Sequence, residues 1–291
     1  MTVRTPSRAG MFYEADPASC RRHAEELLAG VQVPDSLPGR LYGGVVPHAG
    51  WVYSGKLAAL TFKALAASRS PKTFVLLGAD HTGAVKLGEV YASGAWLTPL
   101  GEALIDEELA QAVLAAGGSC CRANEEAHAN EHSIEVQIPF LQVLAPEARI
   151  LPIGIPPSPM AMDVAGAVAE AVGDRADEVV IVASTDLSHH GGHFPAPGGR
   201  GEIGEQWTRE NDRRVIDLAE AMDAESILPE TCRHRNACGP GALAAAVAAC
   251  KALGATKGIC LDYTNSYVIT HEQYPHELDD TTVGYASIVF G

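Results

Sequence analysis

Short, wholly apolar runs alternate along this chain with longer amphipathic ones. LYGGVVP (41–47), TFVLLG (73–78), RILPIGI (149–155) and EVVIVAS (178–184) have the length and β-branched content of strands. Between them, Asp16 before Pro17 opens a helix that Gly30 can close, and Ser54 is expected to cap a second through KLAALTFKALAAS. DEELAQAVLAA, SIEVQIPFLQVL and MDVAGAVAEAVG read as further helices, followed by a polar helix around EQWTRENDRRVIDLAEA and an Ala-rich one, ALAAAVAACKAL. KLGEVYAS and WLTPLG are less regular strands, and KGICLDYTN and VGYASIVF are late ones. Strands apolar on both faces suit the inside of a sheet covered on each side by helices. The expected fold is therefore α/β, a single-domain αβα sandwich with a mostly parallel central sheet. IPPSP (155–159) and PAPGGRG (195–201) mark loops, and with no repeat or long linker residues 1–291 read as one domain.

Ligands of open α/β sheets bind beyond the carboxyl ends of the strands. His48 stands at one such end, His81 of LLGADHTG at another, and Asp186, His189 and His190 of STDLSHHGGH at a third. One strand-terminal histidine is ordinarily a satisfied structural group or a solvated loop residue. Three on one edge of a parallel sheet converge on one crevice, and imidazole is both the commonest metal ligand and the commonest acid–base group. Cys238 precedes Gly239-Pro240-Gly241 and the Ala-rich helix, and Pro240 fits a first helical turn. A helix N-terminus is expected to favour the thiolate of Cys238, the form that binds metal or attacks electrophiles; the structural alternative is a small buried residue in a tight turn. His132 and Glu135 share a helical face if one helix includes both, leaving Ile134, Ile138 and Leu141 for the core; equally, the Asn and Glu residues of that stretch can be caps alone.

Other candidates read as structural. Cys250 and Cys260 lie in apolar segments and are expected to be buried, and the adjacent Cys120 and Cys121, too strained for an ordinary disulfide, are loop or core filler. His23, in a charged helix, and His128, His234, His271 and His276, in polar stretches, are expected to be solvated, while His190 and His193 can sample the pocket mouth.

Composition narrows the function. Lys plus Arg is 21 against 36 for Asp plus Glu, a formal charge of −15, with no basic run to follow a phosphate backbone, so nucleic acid is not an expected partner. Apolar stretches such as GALAAAVAAC fall short of the roughly 20 residues of a membrane span, so no membrane partner is expected either. The first residues lack the apolar core of a signal peptide, and seven cysteines in no CxxC spacing suit reduced thiols, so the expected location is the cytoplasm.

RAGMFYEAD, VVPHAGWVYSG, LLGADH, LTPLGEALID, NEHSIEVQIPFLQ, STDLSHHG, ACGPGA and VGYASIVF, in that order, resemble the Memo family, whose prokaryotic members are often called AmmeMemoRadiSam system protein B. The family is similar in fold to the class III extradiol dioxygenases of the LigB type, which are non-haem iron(II) enzymes. The resemblance implies a metal-binding set of His48, His81 and Cys238, with Asp186, His189 and His132 lining the same pocket as catalytic candidates. It also implies iron as the first choice of metal, with copper or zinc as alternatives, and a pathway link to a radical SAM enzyme.

The sequence departs from the family pattern at three places: Phe12-Tyr13 replaces a Trp-Tyr pair, Trp51 a tyrosine, and Ala79-Asp80 small polar residues. Asp80 can raise the basicity of His81 or point to solvent. The dioxygenases complete their site with a carboxylate where this chain has Cys238, so their activity does not transfer with the fold.

Three protein ligands leave positions open for substrate. With iron, His189 or His132 would move protons and Asp186 would orient His189 by a hydrogen bond; with zinc, Asp186 or a histidine would serve a hydrolytic water as base. The leading reading is redox or oxygen-dependent chemistry on an unknown substrate. The alternatives are a non-catalytic module with a vestigial dioxygenase-like site that binds a peptide or small molecule, an enzyme with Cys238 as nucleophile, and a zinc hydrolase.

Overall fold

The computed structural model describes residues 2–276 and 278–291. In chain order the elements are β1 (Val3–Arg4), α1 (Pro17–Ala29), β2 (Gly43–Val46), α2 (Trp51–Ser68), β3 (Thr73–Gly78), β4 (Gly88–Val90), β5 (Ala95–Thr98), β6 (Gly101–Leu104), α3 (Glu107–Gly117) and β7 (Cys121–Ala123). They continue with α4 (Ile138–Leu144), β8 (Arg149–Gly154), α5 (Met160–Val172), β9 (Val179–Ser184), β10 (His189–His190), α6 (Gly201–Glu220), α7 (Ala224–His234), α8 (Pro240–Ala252), β11 (Gly258–Asn265), α9 (Ser266–Gln273) and β12 (Thr282–Phe290).

The main sheet runs β10-β12-β2-β9-β3-β8-β4-β7, with β11 also paired to β12. Its four central strands, β2, β9, β3 and β8, are parallel, and β12 and β4 join them antiparallel on either side. Alternate residues of the central strands feed two cores. Val75, Leu77, Leu151, Ile153, Val179 and Ile181 pack with α3, α5 and α8, whereas Phe74, Leu76, Ile150, Val180 and Val182 pack with α1, α2 and α4. The αβα sandwich follows, because strands apolar on both faces bury about 1.5–3 kcal/mol per large side chain only when both faces are covered. A separate small sheet joins β1, β5 and β6.

Register aligns the carboxyl ends of the central strands. Val46 pairs with Ser184, and Gly78 with Gly154, so the segments carrying His48, His81 and Asp186 leave the sheet side by side. Asp16 caps α1 through the Ser19 N–H at 2.9 Å, and Gly30 ends it. The second helix begins earlier than the Ser54 cap implied. Gly50 is its N-cap, and Ser54, inside the first turn, donates to the Ala49 carbonyl at 2.9 Å.

α8 approaches the sheet closely because Ala242, Ala244, Ala245, Ala246 and Ala249 are all buried and Gly241 has no side chain. A Cβ at Gly241 would stand 2.3 Å from the Pro156 carbonyl oxygen, which is backbone and cannot yield cheaply. Since α8 carries Cys238 on its leading end, Gly241→Ala is expected to destabilise the fold by about 1–3 kcal/mol in urea unfolding. An unchanged unfolding midpoint would show that α8 does not need this contact.

Candidate functional site

His48, 2% exposed, is fixed from three directions. Its backbone N–H donates to Asp186 Oδ1 at 2.7 Å, its Nδ1 lies 3.1 Å from Ser184 Oγ, and its Nε2 lies 3.1 Å from Cys238 Sγ. The tautomer follows from Ser184. Its hydroxyl proton goes to the Ser133 carbonyl at 2.6 Å, and the Gln137 amide donates to the same Oγ at 3.1 Å. Ser184 Oγ therefore accepts from His48 Nδ1–H, which leaves the Nε2 lone pair aimed at the sulfur.

His81 is held in the same manner by Glu131. Glu131 Oε1 accepts from His81 Nδ1 at 3.0 Å and from the N–H groups of His132 and Ser133 at 2.8 and 2.9 Å, while Oε2 accepts the His81 N–H at 2.7 Å. Burial opposes the charge of Glu131, but His81 and these N–H donors hold its carboxyl well below the usual range. Burial likewise works against a charged His81, yet Cys238 and Glu131 outweigh it and push the imidazole up to about 10. The ligand atoms of His48, His81 and Cys238 lie within 4.8 Å of one another, and those of His81, Glu131 and His132 form a second such group.

Cys238 reaches this point through the close approach of Gly239, where a Cβ would stand 2.8 Å from the Ser184 carbonyl oxygen. Its Sγ accepts the Asp186 N–H at 3.2 Å. The expected preference for thiolate is not met in the protein alone: burial pushes the thiol up, and His81 only partly offsets this.

Above the cluster opens a cavity of about 500 Å³. His48, His81, His132, Asp186 and His189 line it together with apolar groups that include Phe12 and Tyr53. Burial, then the neighbouring His81, hold His132 down to about 4, and burial also lowers His189. Burial and the charges of His81 and His132 keep His48 well below its ordinary value. Asp186 is pushed up to about 7 by burial, against the opposing bond from the His48 N–H.

The family model described as Memo-like protein matches residues 4–289. This chain belongs to the Memo family. It is 38% identical to a MEMO1 family protein of Thermococcus onnurineus over 99% of both chains. It is also 38% identical to one of Methanopyrus kandleri over 99% of this chain and 98% of the relative, and 36% identical to one of Thermococcus kodakarensis over 99% of both. Among the described residues no helix is long and apolar enough to cross a membrane.

Within this Memo chain several sequence expectations need correction. Asp186 does not orient His189, whose Nδ1 lies 3.0 Å from the Leu187 carbonyl; its carboxylate holds the His48 backbone instead. His132 and Glu135 do not share a helical face, because His132 precedes the short 3₁₀ turn at Glu135–Gln137 that leads into α4. His132 turns to the cavity, whereas Glu135 accepts from Ser7, Arg8 and Tyr13 and pairs with Arg4 at 2.8 Å. His128, expected in solvent, is 1% exposed, has Nε2 2.8 Å from the Glu89 carbonyl, and is held down to about 4 by burial. Cys260 is only half-buried. Asp80 lies near Thr82 and not against His81. His193 lines the cavity, but His190 is buried against the Trp207 ring.

Glu131, Ser184 and Gln137 were not singled out from the sequence. Glu131 had one available signal, its place beside His132 in the NEHS stretch. Nothing local marks Ser184 or Gln137.

The loop bearing Asp186 and His189 is braced from α6. Asn211 Nδ2 donates to Ser188 Oγ at 2.8 Å, and Asp212 accepts the Ser188 N–H and the Tyr263 hydroxyl, both at 2.8 Å. Asp212, 0% exposed, is pushed by burial from 3.8 up to about 7. The folded chain thus keeps a proton that the unfolded chain loses, so this contribution is complete below about 3.8 and is lost as pH rises through about 7. As pH rises from about 5 to about 7 the wild type should lose stability with a share from Asp212 of up to about 1.4 kcal/mol per pH unit. Asp212→Asn should lack that share, and equal slopes for the two proteins would refute the assignment.

Proposed function

We propose that this Memo-family protein binds a transition metal through His48, His81 and Cys238, iron first with copper or zinc as competitors. In this reading it carries out redox or oxygen-dependent chemistry on an organic molecule in the adjoining cavity. The observation that carries the reading is the placement of two protons. Ser184 and Glu131 each take an Nδ1–H, so His48 and His81 both present Nε2 toward one sulfur. Structural histidines have no need of such convergence. Two imidazoles and a thiolate suit iron, copper or zinc and disfavour magnesium or calcium.

When bound, the metal would supply a Lewis acid or a one-electron couple at the cavity floor. The chain's own residues divide the remaining work. His132 and His189, neutral at pH 7, can accept a proton, and Asp186, with its carboxyl near 7, can hold or release one. Phe12 and Tyr53 add aromatic surface to the cavity wall. Cys238 as a free nucleophile fits less well, because burial raises its thiol and His48, the imidazole within 3.1 Å, is a weak base. A non-catalytic binding module is favoured by one observation: Met11 and Val52 stand 68% and 71% exposed at the cavity.

Protein purified without oxygen and loaded with iron(II) is expected to retain about one metal per chain, and Cys238→Ser to lose most of it together with any sulfur-to-metal charge-transfer absorption. Glu131→Gln keeps an acceptor for His81 Nδ1–H but loses one for the backbone N–H, and should weaken metal affinity about 10–100-fold. Wild-type protein that retains no metal, or Cys238→Ser that retains as much as wild type, would overturn the reading.

A further inference from the structure

On the far side of His189 lies a second cleft of about 770 Å³, and His189 and Phe194 line both cavities. The second cleft has a different character. The Trp207 indole, Pro195 and Pro197 provide apolar walls, and Arg233 and Arg235 supply positive charge. In a chain with 21 Lys and Arg against 36 Asp and Glu, cations are easily paired. Among the described residues Arg233 and Arg235 are in no ion pair, as is also true of Arg8, Arg21, Arg22, Arg69, Arg149 and Arg214; what sets these two apart is that both line one cleft.

Arg235 also sits at a backbone cost. It ends α7 at φ 51°, ψ 41°, the left-handed conformation that glycine or asparagine ordinarily supplies at such a helix end. Backbone strain at a non-glycine residue persists where the surrounding structure holds it and tends to cluster at ligand sites.

We propose that this cleft is a second ligand site, one that takes an organic monocarboxylate. The aryl or alkyl body lies against Trp207 and the two prolines, and the carboxylate meets the guanidinium pair. Guanidinium groups match a planar carboxylate with two parallel hydrogen bonds. A monoanion is selected over phosphate for two reasons. The arginines stand at the C-terminal end of α7, whose partial negative charge opposes a second anionic charge, and the apolar walls reward a hydrocarbon body that inorganic phosphate lacks. None of these groups belongs to the His48, His81 and Cys238 cluster, so the site stands or falls independently of metal binding.

The same arginines would also suit a purely structural role beside the helix C-terminus. Arg235→Gly separates the two, since it relieves the left-handed backbone while removing the guanidinium. The full chain carries three tryptophans, Trp51, Trp96 and Trp207, so ¹⁵N-indole labelling gives three signals, with Trp207→Phe identifying the one in the cleft. Phenylacetate is expected to shift the Trp207 signal saturably. Arg235→Gly and Arg233→Gln should weaken that binding at least about ten-fold, with Arg235→Gly melting no lower than wild type, and inorganic phosphate should bind at least about ten-fold more weakly than phenylacetate. No saturable shift in the wild type, undiminished binding in both variants, or phosphate binding as tightly as phenylacetate would overturn the proposal.

Discussion

The hydroxyl of Ser184, at the end of β9, has one proton and three polar neighbours. Because the Ser133 carbonyl takes that proton, the oxygen must accept from His48 and Gln137, and the tautomer of His48 is decided at the edge of the sheet. The ring nitrogen that faces Cys238 is then left as an acceptor. Glu131 accepts from His81 Nδ1 in the same way, but as a carboxylate it also favours the charged imidazole, which keeps a proton on its other nitrogen until a metal displaces it. The chemistry available to the cavity depends on these two proton placements, and they depend on β2, β9 and β3 ending in register.

Much of the remaining polar construction serves to hold Glu131 still. Arg4, 5% exposed, donates to the carbonyls of His128 and Glu131 at 2.6 and 2.8 Å, lies over the Trp96 ring at 4.2 Å, and pairs with Glu135. Glu135 in turn ties down Ser7, Arg8 and Tyr13. A buried ion pair gains little net stability against its desolvation, whereas removing one partner leaves a buried charge uncompensated. Such a network therefore acts mainly to define where the loop from His128 to Glu135 lies. It fastens the N-terminal segment, which brings Phe12 to the cavity, to the loop that brings Glu131 and His132.

Local pattern was most informative where burial is symmetric. TFVLLG and EVVIVAS became β3 and β9 because no register of so apolar a run can leave one face in water. It was least informative where a helix or a histidine has a mixed character. α7 contains Pro229, and α9 begins SYVIT, a β-branched run that reads as a strand, so neither helix was evident from periodicity. His128 lies among Asn and Glu residues that look solvated, and it is buried because Arg4 and Glu89 arrive from distant parts of the chain.

The sequence by itself determined the sandwich, the sheet edge on which the titratable side chains gather, and the residue types, His48, His81, His132, Asp186, His189 and Cys238, that meet there or just beneath it. Apolar periodicity and strand-terminal position are local properties, and they survive without coordinates. Tertiary structure alone decided that Glu131, and neither Asp80 nor Glu135, serves His81, and that Asp186 grips the His48 backbone. It also decided that burial pushes the Cys238 thiol up despite its place before a helix. Hydrogen-bond direction and desolvation depend on which groups from remote segments exclude water from one another, and spacing along a chain carries no record of that.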